Sequence, residues 1–220
     1  MRFARDRDVY RKWLREGIRR YHVPVYGYCI TNNHVHIIAH ADNVQALGEL
    51  MQLVAGATAK QYNLRKEHSG SMWEHPYQCT VIQDGKHLFN CLCYVDMNMV
   101  RAHVVSHPRE WRWSGFDELV GRRQRYRILD VDRLMQSLEM SDAQTFLAAY
   151  TDAIERRLVS GHFAREAHWT ESLVVGSRAF VERLQKEYTT RRKFEVSALA
   201  GDSAGTWMVK EPRAAYGSVL

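Results

Sequence analysis

The sequence predicts an α+β protein in which helices cover one face of an antiparallel sheet. Three observations carry that expectation. Two β-rich runs, VPVYGYCI and HVHIIAH, flank Thr31-Asn32-Asn33 and read as a hairpin. Helical periods of apolar residues stand on either side of it. The resulting order, helix–strand–strand–helix–strand–helix, is that of an α+β layer.

The first helix is expected over 6–21, with Val9, Trp13, Ile18 and Tyr21 at roughly helical spacing and arginines elsewhere. Pro24 follows, and the hairpin occupies 24–31 and 34–40. Asn43 can cap a second helix through about Asn63, carrying Ala46, Leu47, Leu50, Met51, Val54 and Ala57. A glycine-containing loop, 68–76, leads to a short strand, 77–82. After Asp84-Gly85 the helical period returns, and Leu88, Cys91, Leu92, Val95 and Met99 form an apolar stripe up to about Ala102. Further helices are expected around 130–138 and 142–159. A last unit holds Trp169, a helix from about Ser177 to Arg192 and an extended piece at 206–210. The expected organisation is one domain over 1–121 and a helical C-terminal extension over 122–220.

Length and charge narrow the class. The 220 residues suit one domain with an extension or two small domains. No apolar run approaches the roughly 18 residues of a membrane helix, and the charged start, MRFARDRD, lacks a signal-peptide core. A cytoplasmic, nucleoid-associated protein is expected. Cys29, Cys79, Cys91 and Cys93 form no C-x-x-C pair, so reduced, mostly buried thiols are expected. Of the net charge of +6, residues 1–21 hold +5: Arg2, Arg5, Arg7, Arg11, Lys12, Arg15, Arg19 and Arg20 against Asp6, Asp8 and Glu16. A second knot, Arg122-Arg123-Gln124-Arg125-Tyr126-Arg127, interleaves an aromatic with four arginines. Either patch alone reads as a solvated face; together they favour nucleic acid, with phosphates for the cations and bases to stack.

His34-Val35-His36 puts two imidazoles on one face of a strand, about 7 Å apart along the backbone. That spacing suits two ligands of one metal ion. With 11 histidines in the chain, however, roughly one H-x-H per two such chains arises by chance. His40 shares the parity and raises a zinc hydrolase on three histidines, but it lies about 13 Å further along a strand. Tyr94 and Asn98 are i and i+4 on one helix face, with Arg101 along the same line. A tyrosine hydroxyl is a poor nucleophile unless a cation or base stabilises the phenolate. A divalent ion held by His34, His36 and the Asn98 amide oxygen could orient a phosphodiester for attack by Tyr94. Taken singly, an exposed tyrosine and a surface amide explain these two residues as well.

The segments Asn32-Asn33-His34-Val35-His36-Ile37-Ile38 and Tyr94-Val95-Asp96-Met97-Asn98-Met99-Val100-Arg101-Ala102 together resemble the single-tyrosine HUH transposases. The likeness is to the REP-associated tyrosine transposases, whose motifs run P-N-H-V-H and Y-I-x-x-N-P-V-R-A. Met51-Gln52 to Tyr62-Asn63, Met72-Trp73-Glu74 and Trp111-Arg112-Trp113-Ser114 fall in the family's order. Trp169-Thr170-Glu171-Ser172, Val175-Gly176-Ser177, Lys210-Glu211-Pro212 and Tyr216-Gly217 resemble an extension carried by some members. The resemblance implies a ferredoxin-like HUH domain over 1–121 that cuts and rejoins single-stranded DNA at hairpins or palindromic repeats. It also implies Mg²⁺ or Mn²⁺ on His34 and His36, Asn98 at the third-ligand position, and Tyr94 forming a 5′-phosphotyrosine. By charge, Arg101, Arg122, Arg123, Arg125 and Arg127 are candidate DNA contacts. The site could lie within one chain or be shared across a homodimer.

Three departures from the family shape further expectations. Members usually begin with a strand before the first helix, where this chain starts at the helix; either the true start lies upstream or another segment fills the slot, which 206–210 could do. Asn32 and Met99 stand where the motifs have prolines. Pro76, Tyr77 and Gln78 replace a basic residue and Tyr-Lys, which predicts weaker or altered DNA binding. The alternative is a domesticated or truncated relative that binds hairpin DNA without cleaving it.

Overall fold

The computed structural model describes residues 1, 3–161, 163–188, 194–199 and 205–210. In chain order the elements are α1 (Ala4–Tyr21), β1 (Val25–Ile30), β2 (Val35–Ala39), α2 (Val44–Lys66), β3 (Val81–Ile82) and α3 (Lys86–Asp96). They continue with α4 (Asn98–Arg101), a 3-10 turn (Pro108–Glu110), α5 (Phe116–Leu119), α6 (Val131–Ser137) and α7 (Ala143–Ser160). The last are α8 (His168–Glu171), β4 (Val174–Gly176), α9 (Arg178–Tyr188), β5 (Glu195–Ala198) and β6 (Trp207–Lys210). Two compact units result, one from Met1–Pro76 with Leu92–Ala164, the other from Tyr77–Cys91 with the described residues from Arg165 onward.

In the first unit α1 packs along α2. Its inward line is Tyr10, Leu14 and Gly17, while Val9, Trp13, Ile18 and Tyr21 flank that line half-buried. Gly17 permits the close approach, because a Cβ there would meet Leu50 Cδ1 at 2.4 Å. Buried Asp6 pairs with Arg65 across the two helices. Asn43 caps α2 as expected, its side chain accepting from the amides of Gln45 and Ala46.

β1 and β2 form the expected hairpin, with Cys29 opposite His36 and Ile30 opposite Val35. β1 is buried throughout, so its second edge needs partners. Irregular chain supplies them: Ile30 N donates to Trp113 O at 2.9 Å, Gly115 N to Tyr28 O at 2.8 Å and Asp130 N to Val25 O at 2.8 Å. The segment 206–210, a candidate for that edge, does not fill it, since β6 pairs with β4 and β5 in the other unit. Residues 122–164, expected in the extension, therefore pack with the first unit. Leu129 bridges Val25, Ser137 Oγ lies 3.1 Å from the Tyr26 hydroxyl, and Tyr150 stacks on Phe146 and donates to buried Asp96.

The helix expected from 86 to about 102 is interrupted at Met97, between α3 and α4, although Met97 N still donates to Cys93 O and Arg101 N to Met97 O. In the second unit the strand expected at 77–82 shrinks to β3. It runs parallel to β4, and the order is β3-β4-β6-β5. Val181 and Leu184 of α9 pack on Val174 and Val209. The extension is thus mixed α+β rather than helical. Among the described residues the strands form a two-stranded antiparallel pair and this four-stranded mixed sheet, not one ferredoxin-like sheet. The end of the helix expected to reach Arg192, and Glu211, Pro212, Tyr216 and Gly217 of the extension motif, lie outside the described residues. Cys29, Cys91 and Cys93 are buried free thiols and Cys79 is exposed. No helix among the described residues is long and apolar enough to cross a membrane.

Candidate active site

His34 occupies the turn leading into β2 rather than the strand itself. Thr31 builds that turn: its amide and hydroxyl donate to His34 O at 3.0 and 2.8 Å, and the hydroxyl accepts from His34 N at 3.1 Å. His34 Nδ1 lies 2.8 Å from Asn33 Oδ1. The amide oxygen only accepts, so Nδ1 carries the proton and Nε2 the lone pair. His36, one pleat along, has its ring centroid 4.8 Å from that of His34. Its Nε2 lies 2.9 Å from the Asn98 side-chain nitrogen.

α3 and α4 bring the partners. Gly27 of β1 lets α3 seat closely, since a Cβ there would meet Leu92 Cδ1 at 2.8 Å. Two residues on, the Tyr94 ring lies 6.2 Å from that of His36, centroid to centroid, and the residue is 3% exposed. Arg101 faces it twice: its guanidinium carbon stands 3.8 Å over the ring, and Nη1 donates to the Tyr94 carbonyl at 2.6 Å. Asp96, between Tyr94 and Asn98, points into the core. Burial pushes its carboxyl up to about 7, and the Tyr150 hydroxyl opposes the shift by donating to it.

Four of the expected residues, His34, His36, Tyr94 and Asn98, therefore converge, with Arg101 against the tyrosine. Thr31 and Asn33 hold His34, a role that the sequence reading did not assign; the T-x-N-H spacing, with a hydroxyl and an amide beside the first histidine, is the signal. Two imidazoles and an amide can share one ion, because turning the Asn98 amide by half a rotation presents Oδ1 where Nδ2 stands. His40 does not join them. It pairs with Asp42 at 2.9 Å, and among the described residues no group of three His, Cys, Asp or Glu side chains is arranged to hold a metal ion.

The basic loop divides. Arg123 turns inward, donating to Arg112 O at 2.7 Å, Tyr28 Oη at 3.0 Å and Ser114 O at 3.2 Å. Through these contacts Arg123 braces the loop against β1 and the 112–114 segment. Arg122 lies 3.9 Å from Asp117, while Arg125 and Arg127 are exposed.

Residues 3–98 match the model of the family described as Transposase IS200 like. The match supports the transposase family. It starts beside α1 and ends on Asn98, so His34, His36, Tyr94 and Asn98 all fall within it. No curated protein and no solved structure matches the chain. A transposase processes DNA, and the transposase-like segment here ends where the convergent residues end.

Proposed function

We propose that the chain is a metal-dependent endonuclease and strand transferase for single-stranded DNA. On this reading it cuts at hairpins or palindromic repeats of REP type through a 5′-phosphotyrosine on Tyr94. The observation that carries the reading is the convergence of His36 on both Asn98, at 2.9 Å, and Tyr94, at 6.2 Å between rings, with His34 beside it. His34 Nε2, His36 Nε2 and Asn98 Oδ1 would hold Mg²⁺ or Mn²⁺, a donor set that leaves room for water and phosphate oxygen. Such an ion, when bound, polarises the scissile phosphate.

The chain's own residues do the rest. The Tyr94 hydroxyl gives up its proton to water as its oxygen bonds to phosphorus, the P–O3′ bond breaks, and O3′ takes a proton from water to leave as a 3′-hydroxyl. In joining, a second strand's 3′-hydroxyl attacks and Tyr94 departs. Arg101, over the ring face, opposes the negative charge that the tyrosine oxygen carries in both directions. Asn33 and Thr31 fix the tautomer and the angle of His34. The same reading has the enzyme at work in the cytoplasm, on the nucleoid, with its site in one chain or shared across a homodimer.

The burial of Tyr94 favours a second reading, a relative that binds hairpin DNA without cutting it. One experiment separates the two: end-labelled single-stranded hairpin oligonucleotides with Mn²⁺ or Mg²⁺, resolved on a denaturing gel. The first reading expects a metal-dependent covalent adduct to the downstream fragment, lost in Tyr94→Phe and in His36→Ala. Tight binding with no adduct in the unmodified chain would sink it and leave the second.

A further inference from the structure

The loop between α5 and α6 is pinned at both ends. Gly121, at φ 72°, turns the chain away from α5, and Gln124 donates to its carbonyl at 2.7 Å. Arg123 N donates to Asp117 O at 2.7 Å, and its guanidinium is held as described above. On the return, the fully buried Glu118 carboxylate accepts from Ile128 N at 2.6 Å and Leu129 N at 2.9 Å. Between these pins the chain has little choice of path.

Tyr126 sits at the tip with φ 57°. Bulky residues occupy that left-handed region only under constraint, and such outliers gather at ligand clamps. The residue is 72% exposed, with the Arg15 guanidinium of α1 4.7 Å from the ring centroid. Arg125 and Arg127, exposed, stand on either side of it in the chain. An exposed tyrosine alone is ordinary. A ring forced outward by a pinned loop, steadied by a cation and bracketed by two more, is a surface built for a flat, anionic partner.

We infer that Tyr126 is a stacking platform for an unpaired base of single-stranded DNA, with Arg125 and Arg127 taking the flanking phosphates. The inference deepens the proposed function by naming a subsite for the unpaired strand, but it needs no cleavage, so equilibrium binding tests it alone.

The experiment is fluorescence anisotropy of a labelled single-stranded oligonucleotide, and of its abasic counterpart, against the full chain and variants across a salt series. Tyr126→Ala should weaken binding on the order of tenfold, and Tyr126→Phe should not. The salt slope should be unchanged in Tyr126→Ala and smaller by about 0.7 in Arg125→Ala. On the abasic strand, wild type and Tyr126→Ala should bind alike. Tyr126→Gly, which relieves the backbone, should lose affinity while keeping the wild-type thermal midpoint or raising it. Equal binding by wild type and Tyr126→Ala, an equal loss on the abasic strand, or no binding of single strands by the wild type overturns the inference. A chain that stacks bases yet forms no adduct fails the nuclease reading alone.

Discussion

The guanidinium of Arg101 meets Tyr94 at the ring and at the carbonyl, whereas that of Arg123 meets carbonyls and a buried hydroxyl. On the proposed reading these contacts would let Arg101 fix the face and height of Tyr94 as nucleophile. At saturating DNA, Arg101→Ala should lower the rate of adduct formation by about 100-fold, the scale of a misplaced reacting group. Affinity and salt slope should hardly change. Lys at 101 should restore the rate in part, since it returns the charge without the planar face. A smaller salt slope with an unchanged saturated rate would instead mark Arg101 as a phosphate contact.

At the scale of elements, the seat of α3 on β1 sets the distance from Tyr94 to His36, and Gly27 sets that seat. Gly27→Val places methyl groups where Leu92 Cδ1 and Ile38 Cδ1 stand, at 2.8 and 3.3 Å from a Cβ. We expect a loss of about 1–3 kcal/mol in urea unfolding, with a fall in adduct yield; undiminished stability would show that the helix can yield at this point. The hairpin, the Asn43 cap and the H-x-H and Y-x-x-x-N spacings were legible in the sequence because each is decided within a few residues. Partners of β1's second edge were not, since 113–115 and 129–130 are irregular chain with no period to read. The inward turn of Arg123 was equally hidden. It depends on a carboxylate, Glu118, that the sequence gives no reason to bury. β3, two residues long, exists only through its pairing with β4.

For the whole molecule, the first unit draws on chain well beyond residue 121. A fragment ending there loses Leu129 and Asp130 from β1, Ser137 from Tyr26, and the Phe146–Tyr150 stack that closes over Asp96. Buried groups left without partners cost about 1–3 kcal/mol each, against a total stability of about 5–15 kcal/mol. We expect residues 1–121 alone to show no cooperative urea transition; a sharp one would restore the boundary read from the sequence. The second unit is more divided still. Val81 N donates to Leu173 O and Gln83 N to Val175 O, so β3 pairs with chain about ninety residues downstream. At roughly 5–20 residues per second of synthesis, β3 leaves the ribosome roughly 5–20 s before its partner exists. α3, which carries Tyr94, begins in that waiting segment. A nascent chain holds His34, His36, Tyr94 and Asn98 before it holds residues 129–150, which in the first unit pair with β1 and close over Asp96.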